Sequence, residues 1–156
     1  MKIISGAQTG ADRAALDAAI ELGLEYGGAI PKGRLAEDGV IDSGKYPNLT
    51  ELMRGSYLAR TRKNVQDADA TLVFTHGALT GGTKKTIEIA RESGKPYLQN
   101  NLKKMTTEAA IVEIIKWLNT QKPGVLNVAG PRESGAPGIY SKVREVLVAV
   151  FQRAGR

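Results

Sequence analysis

A chain of 156 residues with 42% hydrophobic content carries enough apolar material for one good core, and no Pro/Ser-rich linker divides it, so one domain over residues 1–156 is expected. It has no cysteine and a single histidine, His76, which excludes disulfides, thiolate metal sites, a cysteine nucleophile and a histidine cluster for zinc, and no protein-ligated metal is expected. Its 22 Lys and Arg against 16 Asp and Glu, +6 net, suit a small anionic partner, while the few aromatics and the lack of a long Lys/Arg run argue against nucleic acid.

The amino end enters directly as a strand, Lys2 to Ser5, with no basic n-region or apolar h-region, and no apolar run approaches a membrane span, so a cytoplasmic protein is expected. Asp12 to Leu22 places small and apolar residues at helical spacing and stops at Gly23. An extended stretch around 25–30 follows. About twenty-five residues with Gly33, Gly39, Gly44 and Pro47 then show little periodicity, which suggests a functional loop or an embedded lid.

Tyr57 to Gln66 reads as a helix whose ARTRKN cluster (Arg60, Arg62, Lys63) is a solvated face, with Arg60 able to reach the site in an oligomer. Ala70 to Thr75 (ATLVFT) is the clearest strand, apolar enough to be buried on both faces. Thr83 to Glu92 is a helix and Pro96 to Gln99 a strand. Ile111, Ile114, Ile115 and Leu118 stripe the next helix beside Trp117, a core residue, and Val125 to Ala129 is the last strand. Gly138 to Arg153 closes the chain as a helix burying Tyr140, Val143, Leu147, Val150 and Phe151. Strands separated by helices, with nothing to suggest hairpins, predict a Rossmann-like three-layer α/β/α fold with a mainly parallel sheet of about five strands.

Four polar, glycine-bearing segments follow predicted strands: GAQTGADR (6–13), PKGR (31–34), THGALTGGT (75–83) and GPRES (130–134). Loops at the carboxyl ends of parallel strands meet along one edge, so all four are expected to line one crevice. Gly6, Gly10, Gly77, Gly81, Gly82 and Gly130 let backbone N–H groups approach a ligand. Thr9, Thr80, Thr83 and Ser134 add hydroxyl donors, and Arg13, Lys32, Arg34 and Arg132 add charge. Glu133 can orient the Arg132 guanidinium or contact a ligand hydroxyl. The expected ligand bears phosphate or a similar oxyanion.

Plainer readings stand beside these. GAQTGADR also reads as a glycine turn with Thr9 as N-cap and Asp12 in the first helical turn, where a negative charge suits the dipole. PRES also reads as a surface ion pair. Glu37 and Asp38 are neighbours in AEDG and adjacent residues seldom point the same way, so Lys32 and Arg34 are the preferred ligand contacts of that segment. His76 is placed either at the pocket or in solvent.

In order and content, SGAQTGADRAALDAA, IPKGRLAEDG, LTGGT and LNVAGPRES resemble the molybdenum carrier protein family, the circularly permuted YpsA-like branch of the superfamily that holds DprA and the LOG nucleotide hydrolases. The resemblance spans nearly the whole chain. It implies a nucleotide-binding sheet whose pocket takes a nucleotide or the phosphate-bearing pterin of molybdenum cofactor, in a homo-oligomer. Carried over by position, Gly6, Gln8, Thr9, Gly10, Asp12 and Arg13 would cradle the anion and fix the base. Thr80, Gly81, Gly82 and Thr83 resemble the LOG phosphate loop, and Glu88 falls at the LOG catalytic glutamate. Lys84 and Lys85 stand where that pattern has Gly and Thr.

Two functions follow. One is a carrier or binding protein that holds molybdenum cofactor (molybdopterin) or another phosphate-bearing anion without breaking a bond. The other is a LOG-like nucleotide phosphoribohydrolase, with Glu88 as the catalytic carboxylate and Arg132 holding the phosphate. A nucleotide sensor fits the same residues.

Overall fold

We describe residues 1–154 of the computed structural model of the chain. It runs β1 (Lys2–Ile4), α1 (Ala11–Glu21), β2 (Tyr26–Gly27), β3 (Ala29–Ile30), β4 (Leu35–Ala36), β5 (Gly39–Val40), β6 (Thr50–Glu51) and α2 (Tyr57–Asp67). It continues with β7 (Ala70–Thr75), α3 (Gly81–Glu92), β8 (Tyr97–Asn101), α4 (Thr107–Gln121), β9 (Val125–Ala129) and α5 (Ile139–Ala154). The main sheet is parallel, in the order β2-β1-β9-β7-β8. All six residues of β7 are buried, as an apolar run flanked by strands and covered by helices requires.

Helices cover both faces. α1, α4 and α5 pack together over one, and α2 and α3 over the other. α1 can lie close to the sheet and α5 because Ala11, Ala14, Ala15, Ala18 and Ala19 form its buried side. β9, the last strand in sequence, is inserted between β1 and β7. The chain leaves β1 for α1 on one face and β7 for α3 on the other, so the two connections part above β9 and open a crevice there.

Two expectations are corrected. The extended stretch at 25–30 is not one strand, because Gly28 turns the chain at φ +132° and passes it from the main sheet to a separate pairing of β3 with β6. A Cβ on Gly28 would lie 2.0 Å from the Ser5 carbonyl oxygen, which only glycine permits. The aperiodic segment also contains a hairpin, β4 paired antiparallel with β5, although no hairpin was expected. Its polar tip hid it. The segment has its own small core of Ala36, Ile41, Tyr46 and Leu49 against Ala7, Leu16 and Ile30. Tyr46 donates its hydroxyl to Asp17 on α1 at 2.5 Å, which fastens the segment beside the first loop.

Candidate functional site

The two glycine turns are built alike but end differently. At the start of α1 two of the backbone donors are already used: Ala11 N–H donates to the Pro131 carbonyl at 3.1 Å and Arg13 N–H to the Gln8 carbonyl at 3.1 Å. The Asp12 carboxylate, in the first turn of α1, accepts from Gln8 N–H at 3.4 Å, so this helix end carries its own anion. Gly10 (φ +79°) serves chain packing, since a Cβ there would lie 2.3 Å from the Pro131 oxygen.

At the start of α3 the donors are open. Thr80 is the N-cap but its side chain makes no capping bond. The first helical bond is Lys84 N–H to the Thr80 carbonyl at 3.3 Å, which leaves the N–H groups of Gly81, Gly82 and Thr83 ahead of it. A Cβ on Gly82 would meet nothing within 4 Å. This end faces the crevice.

The crevice has two chambers that share Gly82, Thr83 and Arg132. The inner one, about 90 Å³, is floored by β9 (Asn127, Val128, Ala129) and walled by Gly6, Gln8 and Asp12 from the first loop and α1, Arg60, Thr61 and Asn64 from α2, and Thr86 from α3. The outer one, about 220 Å³, is lined by Thr75, His76, Ala78, Thr80, Gly81, Pro131, Gly135 and Ala136. Two buried polar side chains are only partly satisfied here. Gln8 is 7% exposed; its Oε1 accepts from Thr9 N–H at 3.0 Å and Glu37 N–H at 2.8 Å, and its Nε2 has no acceptor among the described residues. The buried Thr75 hydroxyl, at the end of β7, has no partner among the described residues.

Asp12 is the one carboxylate lining either chamber among the described residues. Burial pushes its pKa up to about 6, against the opposing pull of Arg60. Between the pH at which an unfolded Asp ionises, about 4, and about 6, only the folded chain holds this proton, so Asp12 makes stability fall as pH rises through that window. Asp12→Asn keeps an oxygen for Gln8 N–H and should remove that fall. In urea unfolding at pH 4 and pH 7, the variant should gain stability relative to wild type at pH 7; an equal difference at both pH values would contradict it.

Thr9, Gly10, Arg13, Glu133 and Ser134 lie on the other side of the first loop, with the tip of the β4–β5 hairpin. Glu37 accepts from the Thr9 hydroxyl, from Ser134 N–H at 3.1 Å and from the Ser134 hydroxyl at 2.5 Å, with Arg132 4.0 Å away. The two Ser134 bonds and the Thr9 bond hold its carboxyl below the usual range. Asp38 receives Arg13 at 2.5 and 3.2 Å, and that pair lowers its pKa too. Glu133 caps α5, accepting from Gly138 N–H at 2.7 Å and Tyr140 N–H at 2.9 Å.

The expected single crevice is therefore divided. Gly6, Gln8, Asp12, Thr80, Gly81, Gly82, Thr83 and Arg132 line it; Thr9, Gly10, Arg13, Glu133 and Ser134 join the hairpin instead. Lys32 and Arg34 line neither chamber. Lys32 is exposed, and Arg34 donates to the Ile41 and Tyr46 carbonyls of its own segment at 3.1 and 3.5 Å. The acids of that segment make the loop contacts, because they sit at a hairpin tip where adjacent side chains need not alternate. Glu88 lies a turn beyond Thr83, pairs with Lys85 at 3.2 Å and lines neither chamber; Thr83 and Thr86 hold that face of α3. His76 lines the outer chamber with its Nε2 3.3 Å from Lys142 Nζ.

Residues 3–151 match the model of the circularly permutated YpsA SLOG family. The chain belongs to that family. It is also similar to the crystal structure of a protein from Syntrophus aciditrophicus SB named "Putative molybdenum carrier protein", with 44% identity, a TM-score of 0.92, and coverage of 96% of this chain and 93% of that one. No protein of curated function matches the chain. Among the described residues, no group of three or more His, Asp or Glu is placed to hold a metal ion, and no helix is long and apolar enough to cross a membrane.

Proposed function

We propose that the chain binds and carries a small phosphate-bearing anion in the crevice above β9, with molybdopterin or a nucleotide as the candidate. The observation that carries this reading is the open amino end of α3 opposite the half-satisfied Gln8 amide: donors from two elements converge on one space and lack protein acceptors. The name of the Syntrophus aciditrophicus relative favours a molybdenum-related ligand. Lined by polar groups and closed below by the sheet, the crevice suits retention.

The hydrolase reading has weaker support. Glu88, which the LOG pattern makes catalytic, is turned to Lys85 and away from both chambers. A hydrolase here would have to use Asp12, whose pKa near 6 suits proton transfer, and release of free base from a nucleoside monophosphate is the assay that would reveal it. Screening nucleoside monophosphates, a pterin phosphate, molybdate and inorganic phosphate by melting temperature tests the carrier reading. A ligand at a hundredfold excess over its dissociation constant stabilises the folded state by about 2.7 kcal/mol, an expected rise of about 5 to 10 °C for a chain of this length. No rise with any of them would end it.

A further inference from the structure

We propose that the inner chamber is the subsite for one terminal phosphate-type group and that Arg60, reaching over Gly6 from α2, is the side chain that selects it. This rests on the anion-binding reading and says which part of the ligand enters where. The inner chamber is the smaller of the two, about 90 Å³ against about 220 Å³, and the Gly82–Thr83 turn, the Gln8 side chain and Arg60 all line it. Donors from three elements around one space suit a tetrahedral oxyanion, which offers several acceptor oxygens. The rest of the ligand would then extend past Gly82 and Thr83, which both chambers share, so their N–H groups face the anion from one side.

Arg60 faces it from the other. Its Nη1 donates to the Gly6 carbonyl at 3.2 Å, the one hydrogen bond its guanidinium makes among the described residues, so most of its five donors remain for a ligand. Two neighbours hold the side chain. The Tyr57 ring lies 5.1 Å from the guanidinium carbon, and Gly6 leaves room below it, since a Cβ there would come within 2.7 Å of Arg60 Cδ. The planar fork of Arg matches an oxyanion in two bonds. Arg132 differs, being 55% exposed at the mouth and shared by both chambers.

Calorimetric titration with inorganic phosphate and with dimethyl phosphate at fixed ionic strength tests the assignment. Wild type should bind phosphate at least tenfold more tightly than dimethyl phosphate, whose two methyl esters weaken two of the acceptor oxygens and whose charge is smaller. Arg60→Met should weaken phosphate at least tenfold, with Arg60→Lys between the two. Gly6→Ala should weaken it as well with the guanidinium still present, because the new methyl displaces a flexible side chain and spares the backbone. Arg62→Met, on the exposed face of α2 4.0 Å from Glu92, should bind like wild type. If wild type binds phosphate and Arg60→Met binds it within twofold, the Arg60 assignment is overturned while the anion-binding reading stands. If wild type binds no phosphate, both fall.

Discussion

Gly10→Ala is expected to destabilise the fold by about 3 to 5 kcal/mol, the largest loss from adding a single methyl group to the first loop. Two effects add there. The backbone at φ +79° is one that L side chains rarely adopt, and the new Cβ would meet the Pro131 carbonyl oxygen at 2.3 Å and Glu133 N at 2.8 Å. Neither neighbour yields easily, because Pro131 O accepts from Ala11 N–H and Glu133 N–H donates to the Thr9 hydroxyl. The melting temperature should drop by at least about 6 °C. A drop under about 2 °C would mean that the first and last loops are not packed as described.

Gly82→Val should do the opposite kind of damage: it should leave the ligand-free protein within about 1 kcal/mol of wild type and abolish its response to ligand. The contrast with Gly10 follows from the space each glycine faces. A Cβ on Gly82 meets nothing within 4 Å, and replacing a helical glycine carries little intrinsic penalty, but the branched side chain fills the approach to the open N–H groups of α3. With any anion that raises the wild-type melting temperature by about 5 to 10 °C, the variant should show almost none of the rise. A full response from Gly82→Val would show that the anion does not use the α3 turn.

The sheet and its helices were legible because each signal was local and repeated. ATLVFT needs no partner to read as a buried strand, and the stripe of Ile111, Ile114 and Leu118 names its own face. The open α3 turn was legible for the same reason, since LTGGT supplies both the turn and the small residues at the helix start. The α1 turn in GAQTGADR reads the same way, as a glycine turn that opens a helix. What separates them is the Pro131 carbonyl, more than a hundred residues away, which fills one helix end and not the other.

Arg60 was hidden by its setting in a run of charges that are otherwise solvated, as Arg62 and Lys63 are. Only the fold shows that its face of α2 lies against Gly6, 54 residues away. In the structure Gly6 marks the contact, a glycine without positive φ whose Cβ would lie 2.7 Å from Arg60 Cδ. Alternation of adjacent side chains holds along a strand and lapses at a hairpin tip, so Glu37 and Asp38 can both face the first and last loops. They bind Thr9, Arg13 and Ser134, donors that the sequence alone offers to a ligand.

The most direct measurement is a crystal structure of the protein with its co-purified ligand, or with a ligand chosen by the melting screen. An anion oxygen is expected within about 3 Å of the N–H groups of Gly82 and Thr83, with the inner chamber filled and Glu37 still bound to Thr9 and Ser134. A ligand seated instead on Thr9, Arg13 and Ser134, with the hairpin tip displaced and the α3 turn empty, would contradict the account.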